Sequence, residues 1–108
     1  MRRSDFSQTV RLDMNNAEFQ EQLFDLEKTD RHSAMETLGK LRRMTWDQVY
    51  RDSGLKWEKI RSIAPPDGVP AVYSLRLSQS RRAIAYRDGN LMKLMSIPPD
   101  HDSTYGRK

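Results

Sequence analysis

The side chains whose types and spacing could do chemistry lie in the last third of the chain: Arg76, Arg81, Arg82, His101 and Tyr105. Arginine suits a phosphate because its planar fork donates two parallel hydrogen bonds and its charge cannot be titrated away. A histidine titrates near neutrality, and a tyrosine can stack on a base or donate a proton. RNA carries its own nucleophile, the 2′-hydroxyl. It is cut once a base removes that proton, an acid protonates the leaving oxygen and cations hold the charge of the transition state. Taken singly, each residue has an ordinary reading: an arginine on a sheet face is commonly solvated, and a loop histidine is commonly a surface residue. Their density in one short stretch is what points to chemistry on a phosphodiester.

Other chemistries find little support. There is no cysteine, which excludes disulfides and thiolate metal sites, and two histidines are too few to build a zinc site by themselves. No metal or other cofactor is expected. The chain shows no Gly-rich phosphate loop and no defensible Ser/His/Asp set, and its paired carboxylates read as helix-face charges. No apolar run approaches the roughly 20 residues needed to span a bilayer, so a soluble, cytoplasmic protein without a membrane partner is expected.

Charge is unevenly divided. Residues 1–70 hold 12 Lys and Arg against 12 Asp and Glu, whereas residues 71–108 hold 7 against 3, so the net +4 comes entirely from the C-terminal third. That asymmetry predicts a surface facing a polyanion, although a basic balance also serves solubility.

The elements that must position these residues follow from periodicity. With 108 residues the chain is expected to form a single domain, 1–108, with 1–56 a mainly helical scaffold and 57–105 a sheet carrying the site. Thr9 to Met14 alternates and could be a first strand. Asn15 to Lys28 reads as a helix capped by Asn15, with Glu18 completing a capping box and Phe19, Leu23 and Leu26 forming an apolar stripe that Phe24 widens. Ala34, Leu38 and Leu41 predict a second helix from about Asp30 to Arg43, making a helical hairpin. Thr45 with Gln48 is a capping-box pair for a short third helix that Gly54 closes.

Around Trp57 to Ile63 the period changes to a strand or extended connection, ended by the turn signal Pro65-Pro66-Asp67-Gly68. Ala71 to Ser78 is the clearest strand, with Tyr73, Leu75 and Leu77 on one face and Ser74, Arg76 and Ser78 on the other. Arg82 to Arg87 and Leu91 to Ile97 flank Asp88-Gly89-Asn90 as a hairpin, its nearly continuous apolar second arm expected to be central. The fold class is α+β: the helical hairpin and third helix packed on a small, mainly antiparallel sheet of three or four strands. If the strands pair, Arg76, Arg81 and Arg82 could converge.

Tyr73-Ser74-Leu75-Arg76-Leu77, Arg82-Ala83-Ile84-Ala85-Tyr86, the Asp88-Gly89 hairpin, the apolar strand after it, and His101 with Tyr105 together resemble the RelE and HigB toxins of type II toxin–antitoxin pairs. The resemblance covers roughly residues 57–105. It implies an mRNA endoribonuclease, commonly acting on the ribosome, that inhibits translation and is held in check by a cognate antitoxin protein. Residue by residue, Arg76 would contact phosphate and Arg82 would stabilise charge on the scissile phosphate. His101 would act as acid or base, and Tyr105 would stack on or orient the RNA. Ser74 stands where several relatives carry a basic residue, and Arg81 and Arg87 are plausible backbone contacts. The superfamily also holds ParE-like toxins that inhibit gyrase without cutting RNA, which generally lack such a set. A non-catalytic module of the same fold, directed at gyrase or nucleic acid, is therefore the alternative.

Overall fold

The computed structural model describes residues 8–99. In chain order these form β1 (Arg11–Asp13), α1 (Ala17–Phe24), α2 (Lys28–Leu41), α3 (Trp46–Arg51), β2 (Glu58–Ile60), β3 (Val72–Arg76), β4 (Arg82–Asp88) and β5 (Leu91–Ser96). The α+β class and the order of elements are as the sequence predicts. The sheet has five strands rather than three or four, in the order β1-β5-β4-β3-β2. Its extra members are the two three-residue edge strands, β1, which runs parallel to β5, and β2, which runs antiparallel to β3. The middle strand is β4, and the strongly apolar β5 lies one place from the edge.

Local signals set the helix ends. Asn16, not Asn15, caps α1: its side chain accepts the Phe19 N–H at 3.0 Å, while the Asn15 N–H is turned back onto Asp13 Oδ1. That one-residue shift puts Phe19 rather than Glu18 at the third helical position, so the expected box does not form. Helix α2 spans Lys28–Leu41, two residues earlier at each end than expected. At α3 the Thr45 and Gln48 box is complete in both directions, and the helix ends at Arg51 with Asp52 as its C-cap, short of Gly54. Of the α1 stripe, Phe19, Leu23 and Leu26 are buried but Phe24 is 67% exposed, because it follows Leu23 by 100° around the helix and points away from the sheet.

All three helices contribute to a core on one face of the sheet. Phe19, Leu38, Leu41, Trp46 and Val49 meet Leu75, Leu77, Ala83, Ala85, Met92 and Leu94 in a single buried cluster. Alternation on β4 explains the asymmetry: Ala83 and Ala85 are fully buried toward the helices and their small size lets the layers approach closely, while Arg82 and Tyr86 belong to the other face. The β4–β5 hairpin turns at Gly89, whose φ of +63° few other residues adopt without strain. The carbonyl of Asn90 in that turn accepts both the Arg11 N–H at 2.9 Å and Trp46 Nε1–H at 3.2 Å, which ties β1, α3 and the hairpin together. Between β2 and β3 the expected turn is present: the Val69 N–H donates to the Pro66 carbonyl, with Gly68 at φ +80°.

Phe19→Ala is expected to cost about 3–5 kcal/mol, since it empties a fully buried aromatic site between α1 and the sheet. Against a total of about 5–15 kcal/mol for a small domain, urea unfolding should show the midpoint falling steeply.

Candidate functional site

Arg76 and Arg82 form a directly opposed cross-strand pair at the end of β3 and the start of β4, so their side chains leave the sheet on the same, helix-free face. Both are half-buried. Two like charges at such a position repel, and each guanidinium is held by oxygen acceptors. Arg76 Nη1 donates to the Gln79 carbonyl at 3.3 Å. Arg82 Nη2 donates to Ser74 Oγ at 2.7 Å and to the Lys56 carbonyl at 3.2 Å, with Glu58 Oε1 at 3.9 Å. Three oxygens from β3, the loop before β2 and β2 itself therefore fan around one guanidinium. Tyr86 and Lys93, paired across β4 and β5, continue the same face, where Lys93 Nζ lies 3.6 Å from Asp13 Oδ2.

The Lys56 carbonyl is presented by an unusual backbone. Lys56 has φ +51°, the only non-glycine residue in the left-handed region among those described. Asp52 shapes the turn that leads there: its Oδ1 accepts the N–H groups of Gly54 at 2.8 Å and Leu55 at 2.9 Å, and Lys40 Nζ lies 3.2 Å from its Oδ2. The Leu55 N–H, foremost, and Lys40 hold the Asp52 carboxyl below its ordinary value, against a smaller opposing effect of burial. Leu55 then returns its own carbonyl to the Arg76 N–H at 2.7 Å, which fixes the loop to the end of β3.

The other predicted residues lie elsewhere. Arg81 does not converge with Arg76 and Arg82. It is turned to the helical side, its Nε 3.9 Å from Asp30 Oδ2 and its Nη1 donating to the Pro98 carbonyl at 3.2 Å. Arg87 shares that side, because it lies an even number of residues from Ala83 and Ala85. Its guanidinium sits 4.6 Å from the centre of the Trp46 ring, donating to Tyr50 Oη at 2.8 Å and to the Gly89 carbonyl at 2.7 Å. Arg87 thereby joins an aromatic row in which Trp57 stacks on Tyr73 at 4.8 Å and meets Trp46 edge-on at 5.4 Å. Ser78, expected on the outer face with Arg76, is turned inward and 6% exposed, because β3 ends at Arg76 and the following turn breaks the alternation. His101 and Tyr105 lie outside the described residues. The chain toward them leaves the sheet at the Arg82 end, since the outermost pairing of β5 with β4 is Ser96 with Ile84.

Glu58 and the acceptor role of Ser74 are not evident from sequence. A three-residue edge strand gives too little alternation to say which way Glu58 points. Chemically, the helix-free face offers two fixed guanidinium groups for phosphate oxygens and, beside one of them, a 64% exposed carboxylate able to accept a proton. Among the described residues no cluster of His, Cys, Asp and Glu could hold a metal ion. Nor is any described helix long and apolar enough to cross a membrane.

No protein-family model matches the chain, and no curated protein matches it by sequence. Among solved structures it is similar to a chain of the archaeal RelE–RelB complex from Pyrococcus horikoshii OT3. The two are 20% identical with a TM-score of 0.61, over 93% of this chain and 99% of that one. The resemblance to RelE read from residues 57–105 thus extends to the fold of nearly the whole chain, helical half included.

Asp52→Asn tests the turn behind the Arg82 cradle. A carboxyl whose folded pKa is depressed stabilises the fold fully above its unfolded value near 4, and that contribution is lost as pH falls through the folded value. The variant is expected to be about 1 kcal/mol less stable at pH 7. In thermal melts the gap between the two proteins should close as pH falls below about 4.

Proposed function

We propose that this protein is the toxin of a toxin–antitoxin pair, an endoribonuclease that cuts mRNA, in association with the ribosome, by a mechanism requiring no metal ion, and so inhibits translation. The observation that carries the reading is the Arg76–Arg82 pair, set side by side on the helix-free face of a RelE-like sheet, with Arg82 held by Ser74 and the Lys56 carbonyl and with Glu58 3.9 Å away. A binder of diffuse charge has no need to fix one guanidinium with two acceptors.

In the reaction, the RNA 2′-oxygen attacks the adjacent phosphorus and the bond to the 5′-oxygen breaks, leaving a 2′,3′-cyclic phosphate and a 5′-hydroxyl. Arg82 holds the non-bridging oxygens as charge grows on them, and Arg76 holds a neighbouring phosphate. His101 and Tyr105, whose chain departs from the Arg82 end of the sheet, provide the proton donor and the surface on which a base stacks. Glu58 joins them as a group able to take the 2′-proton, beside His101, which the sequence reading gave as acid or base. Arg81 and Arg87, first considered as RNA contacts, serve instead to build the scaffold.

The partner is a cognate antitoxin, acidic and partly disordered until bound. The apolar surface offered to it is the groove at the helical hairpin, where Phe24 and Met35 stand exposed beside Lys28, Arg31 and His32.

Induced expression in bacteria, followed by primer extension on a reporter message, tests the activity. Growth arrest with discrete new message ends is expected for the wild type, and loss of those ends for Arg82→Ala and His101→Ala. With purified protein, Arg82→Ala is expected to lower the cleavage rate by about 10²–10³-fold. Arrest without new ends would favour a non-cleaving toxin of the same fold. For the partner, co-expression with a small acidic antitoxin protein from the same host should yield a complex that Phe24→Asp together with Met35→Asp weakens, as measured by calorimetry.

A further inference from the structure

Arg76 and Arg82 are joined by a five-residue turn, and their mutual repulsion works to spread the strands that carry them. Within the turn, the Leu77 and Ser78 N–H groups both donate to the Arg81 carbonyl, at 2.9 Å and 3.2 Å. From outside, α2 grips the turn at two positions on one face, two helical turns apart. Thr37 Oγ1 donates to the Leu77 carbonyl at 2.8 Å. Asp30 Oδ1 accepts from Ser78 Oγ at 2.8 Å, and Ser80 Oγ lies 3.2 Å from both of its oxygens. Arg81 completes the cluster with Nε 3.9 Å from Asp30, and its far end reaches the Pro98 carbonyl. One residue earlier, the Ile97 N–H donates to Gln22 Oε1 of α1 at 2.5 Å. The side chains of Asp30 and Arg81 are 18% and 25% exposed, and Ser78 is the one buried polar side chain among the described residues.

A hydrophobic core has no need of a largely covered carboxylate at this place. A polar cluster of this kind contributes less to stability than to selecting one arrangement over its neighbours. We infer that Asp30 is a positioning residue for phosphodiester cleavage: by latching the β3–β4 turn and, through Arg81, the exit of β5, it sets the spacing of Arg76 and Arg82 and the point from which the C-terminal segment departs. This assignment rests on the ribonuclease reading for its kinetic consequence. Its structural consequence, the placement of Arg82, stands independently. Asp30 lies on the helical side of the sheet, so it contacts RNA in neither case and acts only through the residues it holds.

The test compares wild type, Asp30→Ala and Asp30→Asn in RNA cleavage kinetics, thermal melting and the NMR signal of the Arg82 Nε–H group. Asp30→Ala is expected to lower kcat by about 10-fold with KM little changed, since displacement of a positioned group falls on the chemical step. Asp30→Asn, which keeps an oxygen for the two serines but loses the charge facing Arg81, should recover part of that loss. In both variants the Arg82 signal should move. Wild-type kcat in folded Asp30→Ala would overturn the inference, as would a fall in kcat with the Arg82 signal unmoved. If Asp30→Ala does not fold, wild-type kcat in Asp30→Asn overturns it equally. Should the wild type itself fail to cut RNA, the ribonuclease reading fails, and the Arg82 signal alone decides the latch: movement in Asp30→Asn upholds it and no movement refutes it.

Discussion

The structure depends on the one-sidedness of β4. This middle strand can turn its odd-numbered side chains or its even-numbered ones toward the helices, and only Ala83 and Ala85 are small and apolar enough to accept α1, α2 and α3 against them. Once those alanines face inward, Arg82 and Tyr86 must face outward, and the antiparallel register brings Arg76 beside Arg82. The burial that stabilises the fold is thus the same event that exposes the cationic pair. A one-residue slip of β4 would bury Arg82 among leucines and release the site and the core together.

Holding two guanidinium groups side by side requires compensation, and the fold supplies it with backbone and hydroxyl oxygens, with Glu58 the one carboxylate in an ion pair with either among the described residues. Ser74, a carbonyl from the left-handed Lys56 and the Gln79 carbonyl orient the charges without neutralising them. Carboxylates in close contact would fix the same geometry but cancel the positive field of the pair. Glu58 stays at 3.9 Å and is mostly solvated, so it tempers Arg82 without capturing it.

Much of this was legible in the sequence wherever a local rule acts alone. Thr45 and Gln48 cap a helix by their own reciprocal bonds, Gly89 marks a turn by its permitted φ, and the alternation from Val72 to Arg76 names a strand and its faces. The pairing of Arg76 with Arg82 followed from two adjacent strands and a short connection. The misreadings came where a turn resets the alternation or where partners are distant in the chain. Arg81 and Ser78 lie in the β3–β4 turn, where both meet Asp30, which stands 48 positions before Ser78. Arg87, named only as a plausible backbone contact, shares the phase of Ala83 and Ala85, and that phase puts it on the helical side. The edge strands β1 and β2 fall within the stretches read as a first strand and as a strand or extended connection, but three residues each are too few to show which way a side chain points, and the position of Glu58 went unread.

The parallel pairing of β1 with β5 carries a consequence for the order of assembly. Residues 11–13 find their partners only at 91–93, so the strand made first waits for the strand made last. Until β5 has emerged from the ribosome, β1 has no neighbour, the Asn90 carbonyl that receives Arg11 and Trp46 does not exist, and α1 has no Ile97 to hold. Contacts of such long sequence separation make for slow, late folding. The seam between β1 and β5 therefore closes only after residues 91–93 have been made, later than the pairings among β2, β3 and β4 that set Arg76 beside Arg82.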